Sequence, residues 1–193
     1  MNTNKLGAFG LALVLVSGGA AFAQKPTGAD KIENKTELGL KGKKVAKADI
    51  AAKSGSKLKG DVTFTEDGKG GLVFRITVKD APPGLHAVHI HEKGDCSSPD
   101  GKSAGDHWNP EHMEHGKWGA AGEHFHLGDI GNLEVKPDGT GTLTLETTKW
   151  TAGAGAVNDV IGHAVVVHGG VDDFKSQPSG NAGPRIGCGV IVK

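Results

Sequence analysis

Residues 84–96, GLHAVHIHEKGDC, carry three histidines within six positions, with Val88 and Ile90 interleaved among them. In an extended strand, residues i and i+2 point to the same face. The pattern therefore predicts a strand that turns Val88 and Ile90 into a core and projects His89 and His91 side by side from its other face. Two imidazoles on a stiff strand make half of a metal site. Taken alone, the same pattern also fits a polar strand face that happens to carry histidine, so the rest of the chain must decide.

Short apolar–polar alternations punctuated by turn residues recur along the sequence. KVAKADIAA (44–52), KLKGDVTFTE (57–66) and GLVFRITVK (71–79) read as successive strands separated by SGS and DGKGG turns. HAVHIHE (86–92) is the fourth. GNLEVK (131–136) and TGTLTLETT (140–148) flank PDG, a hairpin signal. VIGHAVVVH (160–168) is a nearly continuous buried strand, and RIGCGVIVK (185–193) is the last. Helix signals are scarce. About eight short strands predict an all-β domain, an antiparallel Greek-key barrel or sandwich. Two long connections, from Glu92 to about Ile130 and from about Gly169 to Pro184, stand out, and long loops in a compact domain are usually functional.

The N-terminus changes the picture of where the protein works. Lys5 precedes an apolar run that closes on AFA at 21–23, the pattern of a secretory signal peptide over residues 1–23. No cysteine stands at the cleavage point, which argues against a lipid anchor, and the short apolar run argues against a membrane span. Residues 24–43 are polar and lysine-rich and are expected to form a flexible tail; residues 44–193 form the domain. The mature chain would be nearly neutral, with 21 basic and 22 acidic residues, which gives no reason to expect nucleic acid or a membrane surface as partner. The predicted location is the periplasm or the extracellular space. In an exported protein, the only two cysteines, Cys96 and Cys188, most simply form one disulfide.

The candidate chemistry is concentrated. All ten histidines lie between His86 and His168. The first long loop offers His107, His112, His115, His124 and His126, with Asp129 three residues after His126 in HLGD. His168 ends a buried strand at the mouth of the second loop, just before GGVDD. An all-imidazole set suits copper, and histidines with one carboxylate in a tetrahedron suit zinc.

With these motifs in order (GLHAVHIHEKGDC, AGDHWNP, HLGDIGNL, IGHAVVVHGGVDD and GNAGPRIGCGVI), the chain from about Lys44 onward resembles the copper/zinc superoxide dismutases, in their exported bacterial form. The resemblance implies an eight-stranded Greek-key barrel with the metals outside it, under the two long loops. It assigns His89, His91 and His168 to copper, His107 to a bridge between copper and zinc, and His126 and Asp129 to zinc. The remaining zinc ligand is His115, in HGKWG. The interval from His115 to His126 is longer than the family pattern, so His112 and His124 stand as alternatives. Asp172 matches a carboxylate that links His89 to His115, and such partners fix ligand tautomers. His86 matches a histidine that packs beneath the site without ligating, and Arg185 matches the arginine beside the copper.

The implied reaction is dismutation of superoxide to oxygen and hydrogen peroxide, with copper cycling between two oxidation states and His107 taking up a proton. Superoxide is the expected partner, and a homodimer is compatible with the resemblance. Two departures are visible: Ala87–Val88 replaces the usual Gly–Phe, and DDFKSQPSG is short and lacks paired glutamates, leaving Lys175 as a candidate for anion attraction. A rival reading is an exported module that buffers or delivers copper or zinc without turnover, for which Arg185 and Asp172 would be superfluous.

Overall fold

The computed structural model describes Met1 and residues 31–33, 42–120, 122 and 124–193. The expected signal peptide and most of the expected tail lie outside the described residues. Nine strands form one antiparallel sheet: β1 Lys31–Glu33, β2 Lys44–Ala52, β3 Lys59–Glu66, β4 Leu72–Lys79, β5 Gly84–His91, β6 Asp129–Val135, β7 Gly141–Thr147, β8 Ala164–His168 and β9 Arg185–Val190. Their spatial order is β1-β7-β4-β3-β2-β9-β8-β5-β6, and β6 also meets β7. Strands β2 to β9 thus close into an eight-stranded barrel. The connections β4–β5 and β7–β8 cross between non-neighbouring strands, which is the Greek-key signature.

Alternation builds the barrel. Val62, Phe64, Phe74, Ile76, Val88, Ile90, Leu143, Leu145, Val165 and Val167 belong to one buried apolar core, and residues of opposite parity point outward. A second small cluster, Ala104, Ala164, Val166 and Cys188 with Cys96 against it, lies on the outer face of β8 and β9 beneath the first long loop. β5 is buried on both faces from His86 to His91, because the core takes one face and the loops cover the other.

The barrel's last seam is thin. β6 and β7 pair only at Val135 and Gly141, the base of their hairpin. Beyond that point the edge of β7 is taken by β1, with Lys31 opposite Glu146 and Glu33 opposite Thr144. This short strand falls inside the segment expected to be a flexible tail. A free strand edge offers unpaired backbone groups that favour such an addition. Lys43 is also tied in, its carbonyl accepting from Glu66 N at 3.0 Å.

Two strands are shorter than expected. Residues 160–163 turn rather than extend, since the Asp159 carboxylate gathers the amides of Gly153, Gly155 and Ile161 at 2.7–3.0 Å. At the C-terminus the ladder of β9 stops at Val190, leaving one isolated pairing of Val192 with Lys47. The two long loops span 92–128 and 169–184, and Cys96 and Cys188 are joined, tying the first loop to β9.

Candidate metal centre

β5 supplies the first half of the site. His89 and His91 share its outward face, and their neighbours across the ladder, Val166 and Ala164 on β8, are small or β-branched. His168 ends β8 on that same face. The first loop returns to lie against the end of β5: Trp108 N donates to the Ile90 carbonyl at 2.9 Å, and Ile90 N donates to the Gly128 carbonyl at 2.9 Å. This contact explains the glycine of HLGD. A Cβ at Gly128 would stand 2.2 Å from the Ile90 carbonyl oxygen, so only glycine allows the approach that sets His107 beside β5 and Asp129 at the start of β6.

The result is two groups of four. His89, His91, His107 and His168 converge, as do His107, His115, His126 and Asp129; all seven side chains are buried, and within each group the donor atoms lie within 4.8 Å of one another. His107 belongs to both. Its Nδ1 stands 2.8 Å from Asp129 Oδ1 and 3.4 Å from His126 Nδ1, while its Nε2 is buried with no hydrogen-bond partner. Outer contacts leave the inward nitrogens free. His89 Nε2 donates to Asp172 Oδ2 at 2.8 Å, and His89 Nδ1 is buried without a partner. His91 Nδ1 donates to the Gly105 carbonyl at 2.9 Å, and its Nε2 faces His168 Nε2 at 3.4 Å. His115 Nε2 donates to Asp172 Oδ1 at 2.8 Å; its Nδ1 is 3.0 Å from Asp129 Oδ2 but out of hydrogen-bonding alignment. Buried polar atoms without partners are costly. Three such nitrogens aimed into two convergent donor sets are the arrangement expected of ligands, so the residues fit an all-imidazole metal and a second one held by three histidines and a carboxylate.

Electrostatics agree with that division. Burial, then the neighbouring rings, holds His91 and His168 well below the usual imidazole range. Burial and the nearby His89 bring His107 down to about 4 despite Asp129. These rings are neutral donors at neutral pH. For His115, burial also opposes protonation, but it lies between the Asp129 and Asp172 carboxylates, which override burial and raise it to about 9. Both carboxylates resist burial as well: contacts from the surrounding histidines keep Asp129 and Asp172 ionised, well below the usual range.

Arg185, at the start of β9, lines a cleft of about 760 Å³ together with His91, His107 and His168. Its guanidinium donates to the carbonyls of Gly101 at 2.8 Å and Gly105 at 2.7 Å. The Gly105 carbonyl is the one that receives His91, so Arg185 and His91 share one backbone oxygen. Of the alternatives in the first loop, His112 stands exposed at the cleft rim and His124 is exposed away from both groups. Between His115 and His126, Lys117, Gly119, Ala120, Gly122 and His124 are exposed, while Trp118 and Phe125 are buried and tilted against each other at 5.0 Å, with Trp118 also edge-on to Trp150 at 5.1 Å. His86 bridges the carbonyls of His168 at 2.9 Å and Pro82 at 2.8 Å, outside both groups. Lys175 does not line the cleft; Lys102 does.

Sequence reasoning overlooked two amide side chains. Asn132, on β6, donates to the Asp172 carbonyl at 3.0 Å and accepts from Asp172 N at 2.9 Å, and Gln177 makes an analogous pair of bonds to His115. Asn132 lies within the HLGDIGNL motif and was open to notice; nothing local marks Gln177.

Comparison with known proteins follows the same lines. The family model described as copper/zinc superoxide dismutase matches residues 58–191. A Cu-Zn superoxide dismutase of Aquifex aeolicus is 38% identical over 149 residues, covering 75% of this chain and 85% of its own. The Cu-Zn superoxide dismutase of Caulobacter vibrioides is 40% identical over 137 residues, covering 68% and 77%. Among solved structures, a SOD-like protein from Bacillus subtilis superposes with a TM-score of 0.66 at 33% identity, over 74% of this chain and 95% of that one.

Proposed function

The chain belongs to the copper/zinc superoxide dismutase family, and from that premise we propose how its residues divide the work of converting two superoxide anions and two protons into oxygen and hydrogen peroxide. His89 through Nδ1, and His91, His107 and His168 through Nε2, are the copper ligands. His107 through Nδ1, His115, His126 and Asp129 are the zinc ligands. The observation that carries this reading is His107, the one side chain common to both buried groups, with one ring nitrogen turned to each.

When bound, copper supplies the one-electron couple that oxidises one superoxide and reduces the next, and zinc supplies a fixed charge behind the bridging ring. The protein does the rest. Arg185 meets the incoming anion with a guanidinium that stays charged at any working pH, and its bonds to Gly101 and Gly105 hold it at the cleft wall. His107 lines that cleft, and its Nε2, buried without a partner, is the atom at which a proton is taken up and handed to the reduced anion. Asp129 and Asp172 fix which nitrogen of each neighbouring ring points inward. A storage module would need neither the cleft nor Arg185.

The same reading makes the protein an exported one, of the periplasm or extracellular space, without nucleic-acid partner or membrane anchor. The signal-peptide pattern of residues 1–23, the near-neutral mature charge and the Cys96–Cys188 bridge support this. The deciding test of the site is His107→Ala. It is expected to weaken zinc binding, alter the copper spectrum and sharply lower superoxide consumption; retention of both metals with an unchanged spectrum would refute the bridge.

A further inference from the structure

Gln177 is an exposed residue of the second long loop, yet both ends of its amide are spent on one buried residue of the first. His115 N–H donates to Gln177 Oε1 at 2.8 Å, and Gln177 Nε2 donates to the His115 carbonyl at 2.9 Å. A buried loop residue has no ladder to satisfy its backbone, and here one side chain satisfies both groups. Such a reciprocal pair fixes the peptide planes on either side of His115 and so the direction of its ring.

A second contact reaches the same residue from the same loop. Gly180, with φ of +66°, packs on the His115–Asp172 hydrogen bond: a Cβ there would lie 1.9 Å from Asp172 Oδ1 and 2.5 Å from His115 Nε2. The segment between is self-bound, Gly180 N donating to the Ser176 carbonyl at 2.7 Å and Asp173 N to the Gly180 carbonyl at 3.0 Å. Pro178 and Ser179, within that segment, line the same cleft as Arg185. One short stretch therefore grips His115 at Gln177, lies over its ring at Gly180 and walls the cleft in between.

We propose that Gln177 is a positioning residue for His115, holding the backbone on both sides of that residue so that its ring keeps the direction the zinc group needs. This rests on the reading of His115 as a zinc ligand.

The test uses the full, disulfide-intact protein, stripped of metal and titrated with cobalt(II) and with zinc against a competing chelator. Gln177→Ala and the equally long Gln177→Met remove the amide; His115→Ala is the control. Both Gln177 variants are expected to bind zinc about 10–100-fold more weakly, with shifted cobalt ligand-field bands. Unchanged affinity and bands in the Gln177 variants, with zinc lost in His115→Ala, would overturn the clamp and leave the ligand reading standing. Unchanged zinc affinity in His115→Ala would overturn the ligand reading and the clamp with it. Lower thermal stability of the Gln177 variants with unaltered zinc affinity would overturn the clamp.

Discussion

Arg185 and His115 carry the sharpest expectations at the scale of single residues. Arg185 contributes no atom to either donor group, so changing it leaves both metals in place. Arg185→Glu reverses the charge that meets the anion and is expected to keep copper and zinc occupancy while slowing turnover about 10-fold or more. Arg185→Lys keeps the charge but loses the planar fork that reaches Gly101 and Gly105, and falls between. Metal analysis and a superoxide-consumption assay on the same samples check both. His115 gives a pH-dependent signature. Raised to about 9 between two carboxylates, it carries a proton at pH 7 in the metal-free protein, whereas His107, lowered to about 4, does not. Ligands must be deprotonated to bind, so zinc entering at pH 7 is expected to release about one proton, and the release falls away as pH rises past that of His115. A pH indicator in weakly buffered solution reads it directly. His115→Ala is expected to abolish the zinc-linked release and lower zinc occupancy strongly, while His112→Ala and His124→Ala change neither.

The decisive element is the loop 92–128, whose described residues hold almost no regular structure beyond a short 3-10 turn at Lys102–Ala104. Among its attachments are the disulfide at Cys96, the backbone bonds to β5 at Trp108 and Gly128, and the aromatic anchor of Trp118 on Trp150. Trp150 in turn packs edge-on to Phe64 and Phe74 at 6.0 and 6.1 Å and donates to the Leu127 carbonyl at 3.0 Å, so the loop is keyed to the barrel's aromatic end. Trp118→Ala removes the anchor nearest His115. It is expected to cost about 3–5 kcal/mol as a large-to-small change at a buried site, and to weaken zinc more than copper, because the loop holding His115 and His126 moves while β5 and β8 stay. Thermal unfolding and separate copper and zinc affinities measure the two effects.

For the whole molecule, the bridge between Cys96 and Cys188 closes a stretch of 92 residues. The chain-entropy model puts such a closure at roughly 4–5 kcal/mol, in the unfolded state. Cys96→Ser is expected to lower stability by no more than that, and to lower activity as well, because Cys188 stands three residues from Arg185 and the bridge holds the loop whose carbonyls grip the guanidinium. The native protein should show no reactive thiol until it is unfolded with reductant; two titratable thiols in the native form would sink this. The cleft also has a long-range property. Its wall carries Arg185 and Lys102 beside Glu92, Asp100 and Asp106, so attraction of an anion rests on the guanidinium next to the donor groups; turnover should fall as ionic strength rises, and that slope should flatten in Arg185→Glu.

How much of this was legible beforehand follows from the range of the forces involved. Strand alternation is set by the two-residue period of the chain itself, so β2 to β9, the outward pair His89 and His91 and the two long loops could be read from the sequence alone. The same holds for Cys96 and Cys188, the only two cysteines. The proposed ligand assignment came with the family resemblance, carried by motifs such as HLGD and HAVHIH. Other features had no local signal. The interval between His115 and His126 left three histidines in competition; in the folded chain His115 is buried between Asp129 and Asp172, while His112 and His124 are exposed, a difference made by residues far apart in sequence. The pairing of β1 with β7 depends on an edge left bare by the thin β6–β7 seam, a property of barrel closure rather than of the segment 24–43. Lys102, not Lys175, lines the cleft, a placement that depends on how the two loops come together. Gln177 had no mark at all: an amide in a polar loop acquires a role only when folding sets it against the backbone of a residue 62 positions away. Contacts within a strand or a short motif are written in the chain, while contacts between loops exist only after the barrel has brought them together.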